Sequence, residues 1–109
     1  MNDPTVLYVA RKVNAPRFHR AFLESLIDHS AGADFHLVYV MKGYAPDEPD
    51  LVLESLRARL PCSVETVRYG DEVSPSLIYF EIGKTRPLLL AFNSWSRILA
   101  PDWLRFYIC

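Results

Sequence analysis

Apolar residues in this chain fall in short unbroken runs, separated by stretches with helical spacing. The first run is Thr5-Val-Leu-Tyr-Val-Ala10, the second Phe35-His-Leu-Val-Tyr-Val-Met41, and the last Leu88 to Phe92. Runs of this length, rich in β-branched and aromatic residues, predict strands buried on both faces, as in a parallel sheet. Ser63-Val-Glu-Thr-Val-Arg-Tyr69 predicts a further strand. It is the most polar of the four, which places it at a sheet edge.

The intervening stretches predict helices. Pro16 suits a first helical position, where its missing N–H is no loss. Beyond it Phe18, Phe22, Leu23, Leu26 and Ile27 share one helical face. This helix is expected to end near Ser30-Ala-Gly32, with Gly32 as its cap. His19 and His29 fall on its exposed side. Asp47 or Asp50 caps a second helix that buries Leu53, Leu56 and Leu60 and stops at Pro61. Gly70-Asp71 turns the chain out of the third strand. Ser74-Pro75 then reads as a cap and first turn of a short helix through about Glu81, although Leu77 to Phe80 is also compatible with an extended segment. After the fourth strand, Asn93-Ser-Trp-Ser96 forms a polar turn. Pro101-Asp-Trp-Leu104 reads as the first turn of another helix.

Strands alternating with helices give an α/β, Rossmann-like three-layer domain: a mainly parallel sheet with helices on both faces. With the polar third strand at the edge, the strand order is 3-2-1-4, and all four exit loops lie at one end of the sheet. Residues 1–109 make a single domain. Its fourth strand is wholly apolar yet would lie at an edge, and the chain closes on Phe106-Tyr-Ile-Cys109. Both features point to the first half of a larger fold, or to a homodimer contact at that edge.

Composition removes several function classes. A net charge of -1 offers no basic field for nucleic acid or an anionic membrane. Cys62 and Cys109 have neither metal-site nor redox spacing, and reduced thiols fit a cytoplasmic protein. No apolar run reaches the length of a membrane span. Glycine-rich nucleotide loops, HExxH and GxSxG are all absent. The candidate chemistry is therefore at the strand ends. Arg11, Lys12 and Asn14 follow the first strand, Lys42 and Tyr44 the second, Asp71 and Glu72 the third, and Asn93 to Ser96 the fourth. Cations for phosphate, a carboxylate or amide for base or ribose, and a flat apolar wall are what a nucleotide diphosphate needs.

Val6 to Asn14, the following helix, Phe35 to Gly43, and Phe92-Asn-Ser-Trp-Ser-Arg-Ile-Leu-Ala-Pro-Asp-Trp-Leu104 together resemble the opening of a family 2-type glycosyltransferase with the GT-A fold. The resemblance covers nearly the whole chain as a pattern and is sharpest in the last stretch. It implies a nucleotide-sugar-binding domain, a truncated GT-A, serving glycan or cell-surface polysaccharide synthesis. It implies Ala10, Arg11 and Asn14 beside base and ribose, Asp71 holding the base, and Lys42 touching a phosphate. It also implies Asn93, Ser94, Trp95 and Ser96 in the turn that normally holds a divalent metal against the sugar diphosphate. Acceptor site and catalytic base lie in that family's second half, so the chain by itself is expected to be inactive.

Two departures qualify the resemblance. Met41-Lys42 replaces the family's acidic pair before Gly43, and Asn93 and Trp95 replace the two aspartates of the metal motif. Mg²⁺ and Mn²⁺ favour anionic oxygen ligands, which an amide and an indole do not supply. No metal or other cofactor is therefore assigned. Either the leaving diphosphate is stabilised without metal, by Lys42, Arg97 or a group outside the chain, or transfer activity is lost. The alternative function is a non-catalytic binding or assembly module of the same fold, associating through its fourth strand. A phospho-acceptor receiver is disfavoured, because Arg11-Lys12 stands where receivers need an acidic pair.

Overall fold

The apolar runs become the strands that their pattern predicts. A computed structural model describes residues 4–86, 89–92 and 98–104. β1 (Thr5–Arg11), β2 (His36–Lys42), β3 (Ser63–Tyr69) and β4 (Leu89–Phe92) form one sheet of order β3-β2-β1-β4, every neighbouring pair parallel. Side chains alternate across a strand, so each apolar run feeds two cores. Val6, Tyr8, Ala10, Leu37, Tyr39 and Met41 face α1 (Pro16–Asp28) and α2 (Leu51–Leu56). Leu7, Val9, Val38 and Val40 face the other way, onto Ile78 and Ile82 of α3 (Pro75–Gly83). The α/β, Rossmann-like architecture with helices on both faces is thus as expected, with the polar β3 at one edge.

Three local expectations are corrected. β1 runs one residue further than its apolar run, because Arg11 still pairs in register with Lys42. α1 ends at Asp28 rather than near Gly32. His29 leaves the helical region, and its N–H returns to the Ser25 carbonyl. Gly32 (φ 79) instead makes the bend after Ala31, whose side chain enters the core. His19 is not on an exposed face but only 2% exposed. Both of its ring nitrogens have partners, which is what permits an imidazole to be buried.

Capping follows the sequence closely. The Asp50 carboxylate accepts from Leu53 N–H at 3.1 Å and starts α2. A 3-10 turn at Arg57–Arg59 follows, and Leu53, Leu56 and Leu60 are buried. Ser74 caps α3 through Leu77 N–H. α3 is helical rather than extended because Ile78 and Ile82, one turn apart, both reach the same core.

β4 is paired with β1 along one side. Leu90 and Phe92 pack toward α1, whereas Ala91 is exposed. Leu88 lies outside the described residues. Residues 98–104 lie along the end of α1. Ile98 N–H reaches Ser25 Oγ at 2.8 Å, Leu104 N–H the Ala31 carbonyl at 3.1 Å, and Trp103 Nε1–H the His29 carbonyl at 3.3 Å. Pro101 to Leu104 is a turn, not the expected helix start, because Asp102 adopts a left-handed φ of 56. Aspartate tolerates that region better than most residues. The turn brings Trp103 edge-on to Phe35 (5.5 Å) and Phe92 (6.2 Å). Among the described residues no helix is long and apolar enough to cross a membrane.

Candidate functional site

The strands deliver their last residues to one edge of the sheet. Arg11 pairs in register with Lys42, and Lys42 with Tyr69. Alternation sends Arg11 and Lys42 to the α3 side, since Val9 and Val40 two residues earlier point there. The loop after β3 brings Asp71 to both. Arg11 Nη2 donates to Asp71 Oδ1 and Oδ2 at 3.1 and 3.2 Å. Lys42, only 4% exposed, donates from Nζ to the Asp71 backbone carbonyl at 2.7 Å, with the carboxylate at 3.6 Å. Hydrogen bonding to the Arg11 guanidinium, helped by the Lys42 charge, holds the Asp71 carboxyl below its ordinary range. Two cations and one carboxylate leave the cluster with one net positive charge.

Gly43 makes this approach possible. It takes φ 84, and its N–H bonds the Tyr69 carbonyl at 2.9 Å. A Cβ there would sit 3.3 Å from both Cβ and Oδ1 of Asp71, so a larger residue would be strained and crowded at once.

A concavity of about 190 Å³ opens apart from this cluster, between α1 and α2. Lys12, Asn14, His19, Tyr44, Glu48 and Asp50 are among its lining residues. Lys12 pairs with Glu48 and lies over the Tyr44 ring, 5.3 Å from its centroid. The buried Asp50 accepts from the hydroxyls of Tyr39 (2.7 Å) and Tyr44 (2.8 Å). Burial first, and the Asp50 carboxylate second in effect, raise the Tyr39 hydroxyl far above the ordinary tyrosine range. For Tyr44 burial leads again, followed by the bond to Asp50. Both phenols therefore stay protonated donors at neutral pH.

The structure sorts the sequence-derived site residues into groups. Arg11, Lys42 and Asp71 come together as one hydrogen-bonded cluster. Asn14 lies apart from it, lining the cleft with Lys12 and Tyr44, so the strand-end residues do not all share the single crevice expected from the sequence. Ala10 is fully buried in the core and presents no surface to a ligand. This follows from β1 extending through Arg11, which keeps Ala10 inside the sheet. Asn93, Ser94, Trp95 and Ser96 lie outside the described residues, as does Arg97.

Among the described residues no group of three His, Cys, Asp or Glu side chains could hold a metal ion. The donors at 93 and 95, an amide and an indole, do not fit Mg²⁺ or Mn²⁺. Sequence reasoning missed His19, Glu48 and Asp50 as cleft residues. The available signal was Tyr8 and Tyr39 in otherwise apolar buried strands, because a buried phenol requires a polar partner.

Parallel strands in this order with crossover helices on both faces define an α/β, Rossmann-like fold, and polar side chains gather at its strand ends. Among solved structures the chain is similar to that of the glycosyltransferase S. aureus TarS, residues 1–349, with a TM-score of 0.63 and 17% identity. The match covers 95% of this chain and 31% of the TarS chain, so this chain spans about a third of that structure. No protein-family model and no curated protein matches the sequence.

Proposed function

We propose that this chain is a nucleotide-sugar-binding, glycosyltransferase-like domain that takes part in glycan or cell-surface polysaccharide synthesis. The observation that carries this reading is the Arg11–Asp71–Lys42 cluster. It sits at the carboxyl edge of the sheet, where ligands of open α/β folds bind. Arg11 and Lys42 supply charge-assisted donors for a diphosphate. Asp71, held ionised by both, is an acceptor suited to an N–H of the base. Asn14 offers an amide to the ribose from the first loop, and residues 93–96 follow the fourth strand on the same fold. Sugar transfer itself belongs to a larger assembly, since the fold neighbour extends well beyond the matched third. No step is assigned to a divalent metal.

The test is titration calorimetry with uridine and guanosine diphosphates, each in Mn²⁺ and in EDTA. Binding at micromolar concentration that is indifferent to the metal supports the reading. Absence of binding to either nucleotide, together with a concentration-dependent dimer in light scattering, replaces it with the assembly-module alternative.

A further inference from the structure

His19 is the buried titratable group for which the candidate site has no use so far. It lies on the second turn of α1 and is 2% exposed. Its Nε2 is 3.1 Å from the Arg11 carbonyl and its Nδ1 2.8 Å from the Tyr8 hydroxyl. A carbonyl only accepts, so Nε2 carries the proton, and Nδ1 accepts from the phenol. The same Arg11 carbonyl accepts Asn14 N–H at 3.1 Å. Two donors thus converge on one oxygen and close the loop from Arg11 to Asn14. Lys12 N–H, bonded to the Lys42 carbonyl at 2.9 Å, ties that loop to the end of β2. Arg11, Lys12 and Asn14 all depart from this loop, and imidazole supplies its bond from outside the loop.

We propose that His19 is a positioning residue. As the neutral Nε2–H tautomer it fixes the Arg11 carbonyl, and so the loop that presents Arg11 and Asn14 to the ligand, and its protonation releases that loop. This rests on the nucleotide-binding reading above for its functional consequence, but not for its structural one. Protonation keeps the Nε2–H bond to the Arg11 carbonyl; its cost falls on Nδ1, which becomes a second donor facing Tyr8, and on the cation placed in the core, so the loop is released as the charged ring leaves its buried seat. The groups around it are Tyr8 and the Arg11 carbonyl from β1 and Asp50 ahead of α2, itself bonded to Tyr39 of β2, with Lys12, Tyr44 and Glu48 lining the same cleft. The bond to Arg11 and the Asp50 charge favour the cation, but burial outweighs them and holds the imidazole below its ordinary 6.5. The site is accordingly set at neutral pH and disordered by acid.

Two variants separate positioning from bulk. His19→Gln retains one donor and one acceptor without titrating, whereas His19→Leu retains only volume. In ¹⁵N-labelled protein titrated from pH 7.5 to 4.5, the amides of Lys12, Val13 and Asn14 are expected to shift with the midpoint of the His19 ring protons. They stay still in His19→Gln. At pH 7.5, His19→Leu is expected to weaken uridine diphosphate binding about tenfold, the scale of one lost hydrogen bond. His19→Gln recovers most of that loss, and its affinity no longer falls with acid. Loop amides that ignore His19 titration, or a His19→Gln profile that still follows the wild-type pH dependence, overturn the proposal. If no nucleotide binds at all, the binding reading fails and the amide titration alone decides this one. His29 and His36 lie toward the opposite end of the sheet, away from this loop.

Discussion

At the scale of single residues, the Arg11–Asp71 pair separates function from stability. Both side chains are more than two-fifths exposed (41% and 47%), and exposed pairs of this kind contribute little to folding. Arg11→Ala is therefore expected to leave the thermal midpoint within a few degrees of the parent while weakening nucleoside diphosphate binding roughly tenfold, read by calorimetry. Lys42→Met is the harsher change. It removes the buried cation and leaves the Asp71 carbonyl without its donor, so midpoint and affinity fall together. Arg11, Lys42 and Asp71 were legible in the sequence because an apolar run fixes where a strand ends, and polar residues just beyond it must gather at the sheet edge. Ala10 marks the limit of that rule: apolarity stops at Ala10, but the hydrogen-bonded ladder continues to Arg11. His19 was illegible for a different reason. A helical projection sorts side chains by angle alone, and cannot show that a tyrosine on a separate strand supplies the hydrogen bond that makes burial tolerable.

Between elements, the far edge of the sheet carries a polar contact beside the apolar ones that Val64 and Val67 make with the two cores. Glu65 of β3 receives His36 Nε2 at 3.2 Å from β2 and Arg86 Nη2 at 2.8 Å from the segment after α3. The bond from His36 first, then that from Arg86, lower the Glu65 carboxyl below its ordinary 4.5. A depressed folded-state value contributes stability that is fully present above pH 4.5 and lost as the pH falls through that folded value. Solvent screening keeps the contribution modest, because Glu65 is 42% exposed. Glu65→Gln is expected to flatten the acid limb of a thermal-midpoint profile below pH 4.5 while lowering the midpoint slightly at pH 7. The pattern of this strand disclosed its edge position, since Glu65 and Arg68 interrupt the apolar series. It did not disclose the partners, because His36 is brought to Glu65 by parallel register and Arg86 by the length of α3. The helix starts at Pro16 and Ser74-Pro75 were legible because capping is local chemistry. The end of α1 was not, because it is set by the burial of Ala31.

For the molecule as a whole, the segment from Ile98 to Leu104 is a closing strap, and Trp103 is its anchor. The ring lies against Phe35 and Phe92 and is bonded to the His29 carbonyl. Trp103→Ala is expected to lower unfolding free energy by about 3–5 kcal/mol, a large share of the roughly 5–15 kcal/mol of a domain this size. The urea midpoint measures it, and a loss below about 1 kcal/mol would show the strap to be marginal. Strand order was readable from the polarity of the third strand. The strap was not, because its turn depends on a left-handed Asp102 that no periodicity announces. The sheet order has a consequence for assembly. β1 lies at the centre with β2 on one side and, on the other, β4 from near the opposite end of the chain. Contacts between distant segments form late, after the nearer β1-α1-β2 and β2-α2-β3 units. During synthesis the middle strand is complete on one flank while its other flank waits until β3 and α3 have been made. In native-state hydrogen exchange, the amides shared by β1 and β2 are accordingly expected to outlast those between β1 and β4.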